Sequence, residues 1–231
     1  MIGKGKSISH GVAALEYDLA KEINGQAVAT EIARHELYGC TGAEMVQEMK
    51  PYHIDFPNVK NNCLRFEVSP SIEESATFTD ADWAELGNDF MQRMGLANHQ
   101  YIIIRHSGTE SKKEQAHLHI LANRVSLSGE LYRDNWIGKK ATEAANAIAK
   151  ERNFVQSQDI GKVNKAEIKE AMDGVLKKMQ GFDFTKFKEE LGKRGFKVRE
   201  ARASTGKLNG YYVTARSGTE YKASEIGKGY T

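Results

Sequence analysis

His117 and His119 stand two apart in A-H-L-H-I-L-A-N, and His106 lies upstream across ten intervening residues. In a β-strand successive side chains alternate faces, so both imidazoles leave one face while Leu118, Ile120 and Ala122 enter a core from the other. A helix would set the two rings about 200° apart, too far for one shared ligand. His106 closes a second apolar run, residues 101–105, which also reads as a strand. If the two strands pair, three imidazoles converge on one divalent ion and leave positions open for substrate or water. Three unrelated histidines remain the alternative, because H-x-H alone occurs by chance.

Such a site would suit an anionic transition state, as at a phosphodiester or another ester of an oxyacid. Neutral imidazole ligands leave the full 2+ charge available to bind a non-bridging oxygen, offset developing charge and orient phosphorus for in-line attack. The nucleophile is then either water, with Glu67 or Glu110 as base, or a side chain. Tyr17 is a candidate side chain by placement, unless its ring packs against a neighbouring element. A first helix over residues 10–23 carries its apolar stripe on Val12, Leu15, Leu19 and Ile23. Tyr17 lies about 200° from Leu15 and Leu19, beside Ala13, Ala20 and Lys21, where its hydroxyl has room. A phenol with an ordinary pKa near 10 attacks phosphorus poorly unaided, so it needs the ion. Tyr38 is a second, weaker candidate.

The elements that must position these groups follow from periodicity. Residues 63–69 alternate, with Leu64, Phe66 and Val68 on one face and Arg65, Glu67 and Ser69 on the other. A mid-strand carboxylate at Glu67 is placed to accept the second ring N–H of a metal-bound histidine, although it could also be a plain surface glutamate. Thr79 and Asp82 form a capping pair for a helix with Trp83, Leu86, Phe90 and Met94 inward, and Gly95 ends it. Residues 126–133 read as a turn into another strand, and 138–152 as an Ala-rich helix. Residues 24–62 are loop-like and broken by glycine, with His35 and His53 read as surface residues. Helices alternating with antiparallel strands make an α+β fold.

The character changes near residue 161. Residues 165–180 and 184–194 are Lys-rich helical stretches, and a β-hairpin follows. Residues 1–160 carry a net −5 and residues 161–231 a net +7, hidden within the chain's total of +2. Tyr211, Tyr212 and Tyr221 interleave there with Lys207, Arg216 and Lys222, a pattern that suits single-stranded nucleic acid. The same tyrosines could instead form a small core. The expected division is a catalytic domain over 1–160 and a basic helix-hairpin extension over 161–231, packed upon it. With 40% hydrophobic residues the chain can build a full core. No apolar run of eighteen residues occurs, the start lacks the apolar segment of a signal peptide, and two separated cysteines suit a reducing cytoplasm.

H-(ten residues)-H-x-H running into I-L-A-N-R resembles the third motif of conjugative and mobilization relaxases, nickases of the histidine-hydrophobic-histidine endonuclease superfamily. G-K-G-K with Tyr17 on the first helix, L-R-F-E-V-S-P, F-M-Q-R-M-G before H-Q-Y-I-I-I-R-H, and a closing G-Y-Y-V-T-A-R-S-G-T-E-Y-K-A-S-E-I-G-K-G-Y extend the match over most of the chain in order. The resemblance implies a relaxase-like central antiparallel sheet and metal held by His106, His117 and His119. It also implies nicking and religation of single-stranded DNA at a transfer origin through a 5′-phosphotyrosyl bond to Tyr17. Glu67 and Asn123 would support the histidines; Arg124, Lys207, Arg216 and Lys222 would touch DNA. The family implies Mg2+ or Mn2+, while imidazole ligands also allow Zn2+. It implies accessory mobilization proteins and a coupling protein as partners, and a cytoplasmic protein without membrane contact. One departure stands out: where relatives carry an acid two places after the first histidine, this chain has Gly108. A rolling-circle replication initiator shares the chemistry, but its tyrosine follows the H-x-H, whereas Tyr17 precedes it. A metal-dependent DNA hydrolase is the other reading.

Overall fold

The histidine strand is the middle member of a five-stranded antiparallel sheet in the computed structural model, which describes residues 1–108, 115–204 and 206–230. The chain divides into two units, Met1–Ser157 and Gln158–Thr231. The first contains β1 (Ile2–Ile8), α1 (Gly11–Leu19), the short pair β2 (Glu22–Ile23) and β3 (Gln26–Ala27), β4 (Ala29–His35) and α2 (Gly42–Met49). It continues with a 3-10 turn (Lys50–His53), β5 (Cys63–Ser69), α3 (Ile72–Ser75), α4 (Asp80–Arg93), β6 (His99–His106), β7 (His117–Ser126) and α5 (Ile137–Glu151). The sheet order is β1-β5-β7-β6-β4. The architecture is α+β.

Two cores lie on opposite faces of this sheet because its strands alternate. Leu64, Phe66, Val68, Leu118 and Ile120 point one way, against Trp83, Leu86 and Phe90 of α4 and Ala141, Ala145 and Ile148 of α5. Ile8, Cys63, Ile102, Ile104 and Leu121 point the other way, beneath Leu15 of α1 and Met45 and Met49 of α2. The histidines belong to this second face. In the register His106 pairs with His117, while His119 lies between Ile104 and Glu67. Directly paired residues share a face, so strand pairing alone gathers the three rings.

Several expectations change. The first helix stops at Leu19 rather than continuing to Ile23, because Asn24 (φ 54°) and Gly25 (φ 76°) form a tight turn joining β2 and β3. An Asn-Gly pair with two left-handed residues is the preferred hairpin turn, and it outweighs helical periodicity. Val12 is exposed, and the inward face of α1 is Gly11, Ala14, Leu15 and Asp18. Gly11 lets the helix approach closely, since a Cβ there would come within 2.5 Å of Cys63 Sγ. Strands β1 and β4 emerge where no apolar alternation advertised them. Gly3 of β1 sits so tightly under Ala141 and Ala145 that no side chain fits. The strand anticipated after the histidine strand reduces to a turn and one bridge, Val125 to Leu131.

The second unit holds α6 (Ser157–Leu176), which begins at the boundary, α7 (Phe184–Lys193), β8 (Lys197–Arg202), β9 (Leu208–Thr214), β10 (Glu220–Lys222) and α8 (Ala223–Ile226). The anticipated hairpin gains β10 as a third antiparallel strand. Ile168, Met172, Phe187, Leu191, Phe196, Tyr211 and Val213 form its own core. Among the described residues no helix is long and apolar enough to cross a membrane.

The Thr79–Asp82 capping box opens α4 as the sequence predicts. Hydrogen bonds from Thr79 hold the Asp82 carboxyl below its usual range. Its folded pKa is the lower one, so its contribution is present above roughly pH 4 and is lost as pH falls through the folded value. Asp82→Ala is therefore expected to lower the thermal midpoint at pH 7, with the gap to the parent closing toward pH 3. Melts followed by circular dichroism at both pH values check this; an equal gap would show that the carboxylate charge is not its source.

Candidate active site

His106, His117 and His119 bring one nitrogen each within 4.8 Å of one another. His106 and His117 are buried, and His119 is half-buried. Ring centroids lie 4.5 Å apart for His106 and His119, and 4.9 Å for His117 and His119. The His117 and His119 Nε2 atoms are 3.1 Å apart. Two imidazoles on one ion at about 2.0–2.1 Å would place their nitrogens roughly 3–3.4 Å apart, depending on coordination angle. Burial, reinforced by His106, His117 and Arg65, pushes His119 down to about 2, and burial also lowers His106. Both rings are neutral near pH 7, the form that ligates. The donor set fits a divalent ion.

The hydrogen bonds fix which nitrogen carries each proton. His117 Nδ1 faces the Gln115 carbonyl at 3.2 Å, so it donates and leaves the Nε2 lone pair toward His119. Arg65 Nη2 approaches His119 Nδ1 at 3.4 Å. A guanidinium only donates, so Nδ1 of His119 accepts and its proton sits on Nε2, aimed at His117. His106 Nε2 donates to the main-chain carbonyl of Asp18 at 2.7 Å.

That carbonyl belongs to α1, which lies on the histidine face and carries Tyr17 one residue earlier. Tyr17 is 56% exposed. Its hydroxyl accepts from Lys21 Nζ at 2.8 Å, and the same ammonium sits 4.9 Å from its ring centroid. Asp18 points inward and is 1% exposed. Its carboxylate receives Arg65 Nε at 3.1 Å and Nη2 at 2.5 Å, and lies 3.9 Å from His119 Nδ1. Burial raises the Asp18 pKa and the Arg65 contacts oppose that rise. Sequence reading passed over Asp18, because a stripe drawn through Val12, Leu15, Leu19 and Ile23 leaves it off the inward face that the structure shows.

The structure assigns other partners to the expected supporting residues. The Glu67 carboxylate faces the solvent edge and pairs with Lys4 Nζ at 3.0 Å instead of with a ring N–H. Asn123 is fully buried, two strand positions beyond Leu121. It donates to Met49 O and Gln100 Oε1 and accepts from Val125 N and His53, so it ties β7 to α2 and the 3-10 turn. His53 and His35 are half-buried and stand outside the histidine cluster, His53 donating to Asn123 and His35 bonded to the His99 carbonyl. The Arg124 guanidinium is consumed by Asp134, the Asn61 carbonyl and the Tyr132 carbonyl, which leaves it little capacity for phosphate. Tyr38 is exposed and bonded to Glu36, which raises its pKa. Glu110 lies outside the described residues.

In the second unit Lys207 and Lys222 are exposed, and Arg216 is exposed over the Phe196 ring at 5.1 Å. Tyr211 is core, and Tyr221 is half-buried, its hydroxyl accepting from Asn164 and Lys165 Nζ lying 5.4 Å from its ring centroid. Tyr212 is half-buried beneath Arg199, 4.3 Å from its ring centroid.

The family model for the MobA/VirD2-like relaxase nuclease domain matches residues 17–154, and the chain belongs to that family. The matched span lies within the first unit. Among solved structures, the conjugative relaxase TrwC in complex with oriT DNA is similar in both its metal-bound form (11% identity, TM-score 0.39) and its metal-free form (10%, TM-score 0.40). Each comparison covers 90% of this chain and 74% of that one. No curated protein matches the chain significantly.

Arg65→Met would leave the Asp18 carboxylate buried without its cation. Breaking a buried pair from one side costs about 3–5 kcal/mol, so a loss of that size is expected in urea denaturation at pH 7. A change below about 1 kcal/mol would mean the pair behaves as a solvated surface bridge.

Proposed function

We propose that this relaxase nuclease nicks and reseals one DNA strand at the transfer origin of a plasmid or integrative element, with Tyr17 as nucleophile. The observation that carries the reading is the convergence of His106, His117 and His119 beneath the helix that bears Tyr17. A divalent ion held by the three histidines, Mg2+ or Mn2+ with Zn2+ also compatible, would supply positive charge to a non-bridging phosphate oxygen. Tyr17 Oη forms the new bond to phosphorus as the bond to the 3′ oxygen breaks. The phenol gives up its proton, and the departing 3′ oxygen takes one. The 5′-phosphotyrosyl bond retains the energy of the phosphodiester, so the free 3′ hydroxyl can reverse the step. Lys21, already donating to Tyr17 Oη, would remain a donor as that oxygen attacks.

Lys207, Arg216 and Lys222 are proposed to follow the DNA backbone from the basic second unit, which works by counterion release rather than base reading. The natural partners would be single-stranded origin DNA, accessory mobilization proteins and a coupling protein, in the cytoplasm. Of the two acids that could activate water in place of tyrosine, Glu67 is engaged by Lys4.

The test is a single-stranded oligonucleotide carrying the cognate nick site, incubated with Mn2+ and resolved for a covalent adduct. The parent chain is expected to give an adduct that chelator abolishes. Tyr17→Phe should bind the oligonucleotide and give none, and His119→Ala should lose both metal and adduct. An adduct formed by Tyr17→Phe would transfer the role to another residue, Tyr38 first.

A further inference from the structure

We infer that Asp18 is the positioning residue for two of the three histidines, holding His106 through its main-chain carbonyl and orienting His119 through its carboxylate. The inference rests on the metal reading above and deepens it. Of the three rings, only His117 already directs an Nε2 lone pair toward its neighbours, since its Nδ1 proton goes to the Gln115 carbonyl. His119 holds its proton on Nε2 and accepts from Arg65 at Nδ1. To offer Nε2 to an ion, His119 must lose that proton and carry one on Nδ1, with no net change in charge. An Nδ1–H cannot face the Arg65 guanidinium, which has no lone pair to give. It requires an acceptor, and one stands close by: Asp18 Oδ1, 3.9 Å away and itself fastened by Arg65.

A small rotation of the ring exchanges the Arg65 contact for the Asp18 contact. The carboxylate is 1% exposed and anchored at both oxygens, so it cannot follow the ring into solvent. Metal-bound histidines need such an acceptor on their second nitrogen to hold tautomer and orientation. Glu67, the strand neighbour of His119, is turned to Lys4, and the position two after His106 is Gly108. A helix residue thus takes the place that a strand or loop acid would have filled. Because Asp18 follows Tyr17 directly, the same turn of helix that fixes the rings also fixes where the tyrosine leaves the backbone.

The experiment titrates the full chain with Mn2+ by calorimetry and, loaded with Zn2+, records the His119 Nδ1 proton by NMR. The parent is expected to bind Mn2+ and to show a downfield, exchange-protected Nδ1 proton. Asp18→Asn keeps the side-chain size and the main-chain carbonyl but removes the charge. It should weaken Mn2+ binding by about tenfold or more and move that resonance upfield. Affinity within twofold of the parent overturns the inference, as does weakened binding with the resonance unmoved, which would mark a purely structural loss. If circular dichroism shows Asp18→Asn unfolded, Arg65→Lys takes its place, with the same weakening expected and unchanged affinity equally fatal. A parent chain that takes up no Mn2+ overturns the metal reading and this inference together, whereas failure in the variants alone leaves the metal reading standing.

Discussion

The register between β6 and β7 is the constraint on which the rest depends. Pairing His106 with His117 places both rings on one face, and the two-residue period brings His119 to the same side. A slip of one residue would send His117 and His119 into the core against α4 and α5, and Leu118 and Ile120 toward α1. The apolar identity of Leu118 and Ile120, both fully buried, makes that slip prohibitively costly. The core on one face therefore enforces the site on the other.

The site is also a compromise in electrostatics. Burial, with the two neighbouring rings adding to it, disfavours protonation of His119. The Asp18–Arg65 pair sits beside them as a neutral unit overall, so it can offer both a donor and an acceptor without burying net charge. A lone carboxylate there would attract a proton or a second cation. A lone guanidinium would repel the ion. The pair does neither, which suits a site meant to deliver the charge of the ion to phosphate.

Much of this could be read from the residues. The H-x-H period, the alternation of residues 63–69, the Thr79–Asp82 cap and the basic helices at the end all appear in the structure near their anticipated places. What stayed hidden was set by tertiary contacts. Gly3 and Gly5 in β1 carry no apolar signal, because their lack of side chain is what admits α5. The resemblance offered Arg124 as a DNA contact, yet Asp134 and two carbonyls engage it once the chain folds. Asn123 stood in the motif beside the histidines and shares their face of the sheet, but four residues along the strand from His119 it meets Met49 and Gln100 instead of the rings. Asp18 required knowing which side of the first helix faces the sheet, and the apolar stripe alone misplaced that side by including Val12.

The central claim is that paired strands gather three imidazoles into one divalent-ion site. Pulsed electron paramagnetic resonance of Mn2+ bound to the chain tests it directly, because modulation from coordinated nitrogen counts the histidines on the ion. Three directly bound imidazole nitrogens are expected, falling to two in His117→Ala. A bound ion that shows no nitrogen coupling, with a signal indifferent to His106, His117 and His119, would contradict the account.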